Sequence, residues 1–175
     1  MNTIVKKICI LGPEGVGKTS LIRRFVDNAF DDEYRSTIGV QISQKDIPID
    51  DNNKIQFIIW DLEGFDVTND YPLSYLGGAG AFVFVSDATR ENTSSELVRI
   101  YNTLTKNPLF KVPTCIAINK SDLISKDNQE LIYNKLNNSG HFTPNVKLLL
   151  TSAKDDQNVS NLFGFLAKHI WEDYA

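Results

Sequence analysis

Two cysteines in 175 residues leave no basis for a disulfide framework. Cys9 and Cys115 each sit inside an apolar run that reads as a buried strand, so both read as small inert thiols, a usage that fits a reducing compartment. Histidine is as scarce. His141 and His169 stand apart from each other and from any cysteine or carboxylate cluster with metal-ligand spacing, which leaves them as packed or solvated side chains. No apolar run approaches the 18 or so residues of a membrane-spanning helix, and the apolar part of residues 1–11, interrupted by Lys6 and Lys7, is too short for a signal peptide. Positive charge is in deficit, with 18 Lys and Arg against 22 Asp and Glu, a net charge of −4 and a pI near 5.2. That balance gives no broad attraction for nucleic acid or an anionic membrane, and no nucleic-acid partner is expected. Low-complexity linkers and internal repeats are absent too. A soluble, cytoplasmic protein is the expectation.

What is present is an alternation. At 175 residues the chain is expected to form one domain, 1–175, large enough to bury a continuous core. Short β-type runs at about 4–11, 39–48, 54–60, 80–86, 112–118 and 146–151 alternate with helical patterns at about 18–28, 92–106, 127–138 and 157–171. This predicts an α/β fold with a mostly parallel sheet covered by helices on both faces. Asp50-Asp51-Asn52-Asn53 reads as a hairpin turn, which makes one edge pair antiparallel. The stripes Val159, Leu162, Phe163, Leu166, Ile170 and Leu97, Ile100, Tyr101, Leu104 are core faces and receive no ligand role.

Four segments follow strands and so meet at the carboxyl edge of the sheet, where open α/β folds bind ligands. Gly12-Pro13-Glu14-Gly15-Val16-Gly17-Lys18-Thr19 matches G-x-x-x-x-G-K-[ST] between an apolar strand and a helix. Its glycines let backbone N–H groups converge on phosphate oxygens at a helix N-terminus, Lys18 supplies a cation to the β- and γ-phosphates, and the Thr19 hydroxyl suits Mg²⁺. Asn119-Lys120-Ser121-Asp122 follows the strand CIAI. A carboxylate there accepts from both N1–H and the N2 amine of guanine but faces the unprotonated N1 of adenine as acceptor against acceptor, so Asp122 selects guanine. Asp61-Leu62-Glu63-Gly64 follows FIIW; its carboxylate suits a water-mediated contact to Mg²⁺, and Gly64 lets an amide approach the γ-phosphate. Thr151-Ser152-Ala153-Lys154 ends the sixth strand with residues small enough for close approach to a base.

In that order these motifs resemble the Ras-like small GTPases over about residues 4–171, with the Rab branch nearest in flavour. The resemblance implies a P-loop sheet of order 2-3-1-4-5-6 with strand 2 antiparallel, GTP/GDP and Mg²⁺ as ligands, and slow GTP hydrolysis. It implies that Glu14, Gly15, Val16, Gly17, Lys18, Thr19 and Ser20 surround the phosphates. Thr37 looks like the switch I threonine that senses γ-phosphate through Mg²⁺, Asp61 and Gly64 like the switch II pair, and Asn119, Lys120 and Asp122 like the guanine readers, with Ser152, Ala153 and Lys154 closing over the base. Metal contacts then fall to Thr19, Thr37 and, through water, Asp61; catalytic roles fall to Lys18, Thr37, Gly64 and Arg35, the last as an arginine finger in cis. Segments near 30–38 and 62–76 would change with nucleotide state and meet effectors, an exchange factor and an activating protein.

Three departures qualify the activity. Phe65 stands where most of the family has the glutamine that orients water. Glu14 and Glu63 add negative charge beside the γ-phosphate. The last residues, Ile170 to Ala175, carry no cysteine or polybasic tail, and Asn2 replaces the glycine needed for myristoylation, so no lipid anchor is encoded in this chain: either the protein is not lipidated or the sequence is truncated. Two functions remain open on the residues: a slow GTPase switch, or a GTP/GDP-binding interaction module with negligible turnover. An ATP-dependent kinase is disfavoured by Asn119 to Asp122.

Overall fold

The computed structural model describes residues 2–33, 36–62 and 73–174. Six strands form one sheet in the order β2-β3-β1-β4-β5-β6. They are β1 (Asn2–Leu11), β2 (Val40–Pro48), β3 (Asn53–Leu62), β4 (Ala79–Asp87), β5 (Thr114–Asn119) and β6 (Val146–Leu150). All neighbours are parallel except β2 and β3, which pair antiparallel with Val40 opposite Leu62 and Pro48 opposite Lys54. The turn between these two is built by Asp50, whose Oδ1 accepts from the Asn52 amide at 2.8 Å, and by the Ile49 amide donating to the Asn53 carbonyl at 3.0 Å. The expected α/β architecture and strand order are therefore present.

Four α-helices cover the faces among the described residues: α1 (Lys18–Asp27), α2 (Glu91–Leu104), α3 (Lys126–Asn137) and α4 (Val159–Glu172). Side chains of a strand alternate between faces, so β4 sends Ala81, Val83 and Val85 to one core and Phe82 and Phe84 to the other. The first core takes Leu21 and Ile22 of α1 with Val159, Leu162, Phe163, Leu166 and Ile170 of α4. The second takes Leu97, Ile100, Tyr101 and Leu104 of α2 and Leu136 of α3. Both predicted helical stripes are thus core faces. Strand β5, TCIAIN, is buried along its whole length, as a central parallel strand covered on both sides must be.

Element ends differ from the sequence reading for local reasons. Strand β5 starts at Thr114 rather than 112, because Pro113 has no N–H to give a ladder; its carbonyl alone is used, accepting from Phe82 N at 3.0 Å. Helix α4 starts at Val159 rather than 157, because Asp156 and Asn158 both take left-handed φ of 58°. Helix α1 stops at Asp27, where Asn28 turns left-handed; the Asn28 amide closes on the Arg24 carbonyl at 3.1 Å and the Ala29 amide on the Arg23 carbonyl at 3.4 Å.

Candidate nucleotide-binding site

The loop between β1 and α1 bounds a cleft of about 330 Å³ at the carboxyl edge of the sheet. One end of it is lined by Glu14, Gly15, Gly17, Lys18, Thr19 and Ser20, together with Thr37. Gly17 has φ of 95°, and a Cβ there would stand 2.3 Å from Asn119 Nδ2. A cradle that close to a side chain admits glycine alone. Lys18 is almost fully buried, and its ammonium donates to the carbonyls of Gly12 and Pro13, both at 2.9 Å. The cation is therefore held over the loop it belongs to.

Thr19, Thr37 and Asp61 meet at one point. Thr19 Oγ1 donates to Asp61 Oδ2 at 2.5 Å and lies 2.8 Å from Thr37 Oγ1. Since the single Thr19 proton points at the carboxylate, Thr37 is the donor in the second bond. Asp61 is 3% exposed. Its Oδ1 is buried with no hydrogen-bond partner among the described residues. Burial pushes the Asp61 carboxyl above the usual carboxylate range, against the lowering effect of the Thr19 hydroxyl and the Lys18 charge. Two hydroxyls and a carboxylate with an unused buried oxygen form an all-oxygen donor set, the chemistry a hard divalent cation such as Mg²⁺ requires, and an orphaned acceptor at that depth calls for a positive partner.

The other end of the cleft is lined by Asn119, Lys120, Asp122, Ala153 and Lys154. Asn119 joins three segments: its Nδ2 donates to the Val16 carbonyl at 3.0 Å, and its Oδ1 accepts from Thr151 Oγ1 at 3.2 Å and the Ala153 amide at 3.3 Å. Lys120, at a left-handed φ of 61°, donates to the Gly15 carbonyl and to Asp87 Oδ2, both at 2.7 Å. Asp122 Oδ1 accepts from Ser152 Oγ at 2.6 Å, and Ser152 Oγ accepts from the Asp155 amide at 3.0 Å. Such a chain fixes the carboxylate without neutralising it. Ser152 and Val16 do not line the cleft themselves; Val16 is fully buried and contributes backbone, while Ser152 works through Asp122. Arg35 and Gly64, like Glu63 and Phe65, lie outside the described residues.

Several contributors carry no motif. Arg23, Phe30, Asp31, Asp32 and Leu123 line the cleft. Arg24 of α1 donates from Nε to the Ala153 carbonyl at 2.8 Å and from Nη2 to the Lys154 carbonyl at 2.9 Å, fixing the loop after β6 from 130 residues away. Asp87, 2% exposed, ends β4. Burial raises its carboxyl, but hydrogen bonds from Lys120 and Thr89 outweigh that and hold it below the usual range. Its one sequence signal is that it closes the buried run GAFVFVS, the same placement that marked Asp61.

A glycine loop capping a parallel strand, a buried lysine held by that loop's own carbonyls, and a separate amide-and-carboxylate loop across the cleft define a P-loop nucleotide-binding protein. Residues 7–172 match the Ras family, and the chain belongs to it. It is 28% identical over 172 residues to Ras-related protein SEC4 of Saccharomyces cerevisiae, spanning 96% of this chain and 76% of that protein. To Ras-related protein Rab-22A of Homo sapiens it is 31% identical over 166 residues, 94% of this chain and 82% of the relative. The match to Ras-related protein Rab-18-B of Danio rerio is 39% over 133 residues, 74% of this chain and 62% of that protein. The likeness is thus to Rab-type members of a GTPase family.

Proposed function

We propose that this chain, as a single domain over 1–175, is a guanine-nucleotide switch that binds GTP or GDP with Mg²⁺ and slowly hydrolyses GTP. The observation that carries the reading is the shared anchoring of the guanine-reading loop and the phosphate loop. Asn119 and Lys120 donate to the carbonyls of Val16 and Gly15, so the site for the base and the site for the phosphates hold one spacing. In this reading Gly15 to Ser20 present backbone donors and Lys18 to the phosphates, with Glu14 at the rim. Asp122 accepts from guanine, and Ala153 and Lys154, set by Ser152, close over it. Thr19 and Thr37, with Asp61 through water, would hold Mg²⁺; when bound, the ion would supply charge neutralisation at the phosphate oxygens.

Thr37 then links the γ-phosphate to segment 30–38, and Gly64 does the same for 62–76. Those two segments are the surfaces for effectors, an exchange factor and an activating protein. No helix among the described residues is long and apolar enough to cross a membrane. The switch reading carries with it a cytoplasmic location.

Competition binding tests the base assignment. Wild type should take GTP over ATP by at least ~10³-fold, the discrimination available when a mismatched base leaves buried polar groups unpaired. Asp122→Asn should shift preference towards xanthosine nucleotides, because an amide donates to the xanthine 2-oxo group; unchanged GTP preference would place the base elsewhere. A second reading, a GTP/GDP-binding module with negligible turnover, is favoured by Phe65, which has no group to orient water. Single-turnover hydrolysis by wild type, Phe65→Gln and Arg35→Ala separates the two. Acceleration by the first substitution and slowing by the second support a slow GTPase with a cis arginine, whereas a rate equal to buffer alone supports the module.

A further inference from the structure

Arg90 sits at the N-terminal boundary of α2, three residues past the end of β4 and 76 residues from the phosphate loop, yet its guanidinium spans the two. Its Nε donates to Asp87 Oδ2 at 3.0 Å and its Nη2 to the Glu14 carbonyl at 2.9 Å. The same Asp87 oxygen accepts from Lys120, whose ammonium also reaches the Gly15 carbonyl at 2.7 Å. One buried carboxylate therefore holds two cations, and each cation grips the carbonyl of one of two successive loop residues. Asp87 is a firm base for this: its Oδ1 accepts from the Thr89 amide at 2.9 Å and from Thr89 Oγ1 at 2.6 Å.

A peptide unit is planar and trans, so a carbonyl tied to one side sends the N–H of the following residue to the other. Gripping the Glu14 and Gly15 carbonyls thus fixes the direction of the Gly15 and Val16 N–H groups. Both belong to the stretch that must present donors to phosphate. Gly15 has φ of 72° and no Cβ to resist rotation, so these peptides need an external hold. We propose that Arg90 is a positioning residue that locks the Glu14–Gly15 peptide and thereby slows nucleotide release. The proposal rests on the nucleotide-binding reading above and adds to it a residue that no motif contains.

Displacement of N-methylanthraniloyl-GDP by excess GDP, followed by stopped-flow fluorescence with the full chain, tests it. Arg90→Ala should release the probe about three- to tenfold faster than wild type, the scale of a charged hydrogen bond reduced by partial exposure. The factor should be the same with Mg²⁺ and with EDTA, because the brace acts on the phosphate loop and not on Thr19 or Asp61. Arg90→Lys, which keeps the charge but lacks the two-pronged span, should release at an intermediate rate. Arg99→Ala, an exposed arginine on the same helix, should release at the wild-type rate. Wild-type release by Arg90→Ala overturns the proposal, as does full restoration by Arg90→Lys or equal acceleration by Arg99→Ala. If Arg90→Ala fails to fold, the Arg90→Lys rate decides alone by the same criterion. Absence of probe binding by wild type would instead overturn the nucleotide-binding reading on which the brace depends.

Discussion

Gly17 shows how little freedom single residues have at this site. Its φ of 95° already strains any L side chain, and a Cβ would meet Asn119 Nδ2 at 2.3 Å. Gly17→Ala is expected to fold, with the loop relaxed away from Asn119, and to lose roughly 5- to 100-fold in GDP affinity, the equivalent of about 1–3 kcal/mol of strain restored on binding. Titration calorimetry measures it, and an affinity equal to wild type would mean that the loop binds nucleotide in another shape. Asp87 makes a pH prediction. Its folded carboxyl titrates below the ordinary value near ~3.9, so in that window the unfolded chain binds more protons. The stability it contributes is complete above the ordinary value and is lost as pH falls through the depressed one. Urea melts should therefore show wild type exceeding Asp87→Asn at about pH 6, with the gap closing towards about pH 3. A gap independent of pH would assign the effect to packing and not to charge.

At the scale of elements, α1 and α4 are joined by the stacked rings of Phe25 and Phe163, with centroids 3.9 Å apart and planes 13° from parallel. Phe163 is 1% exposed. Phe163→Ala should cost about 3–5 kcal/mol in equilibrium unfolding, the range for emptying a buried aromatic site, while leaving the cleft residues unchanged. A loss below about 1 kcal/mol would show that the two helices collapse to fill the void. The same elements show why so much could be read in advance. Core stripes and strand alternation are written directly into residue order, so α2, α4 and all six strands were predictable to within a few residues. Ends were less legible where a single backbone angle decides, as at Asn158, or where a missing donor does, as at Pro113. The site divides in the same way. That Gly17, Lys18, Asn119 and Asp122 would line one cleft was legible because each sits in a fixed-spacing motif that follows a strand. Arg24, Phe30 and Arg90 were not, because an arginine or phenylalanine acquires its role only from what the fold sets beside it.

For the molecule as a whole, the two halves of the cleft lie far apart in the chain: the loop at 12–19, which the proposed function gives to phosphate, and the loops at 119–122 and 151–154, which it gives to the base. They are joined by Asn119 to Val16, by Lys120 to Gly15, and by Arg24 to the carbonyls of Ala153 and Lys154. This gives the protein a schedule during its own synthesis. A ribosome that has released residues up to 110 has exposed the whole phosphate loop, α1, β1 and β4, but nothing that recognises a base. Even with β5 in place, the Asn119 amide oxygen lacks its donors from Thr151 and Ala153 until the segment through 153 emerges. In the proposed reading nucleotide capture thus waits for the segment through 154, and the residues before it must remain competent to fold without the ligand. Ribosome-arrested chains of increasing length should acquire guanine-specific binding in a single step, once the segment through 154 has cleared the exit tunnel, and chains arrested before 119 should show none.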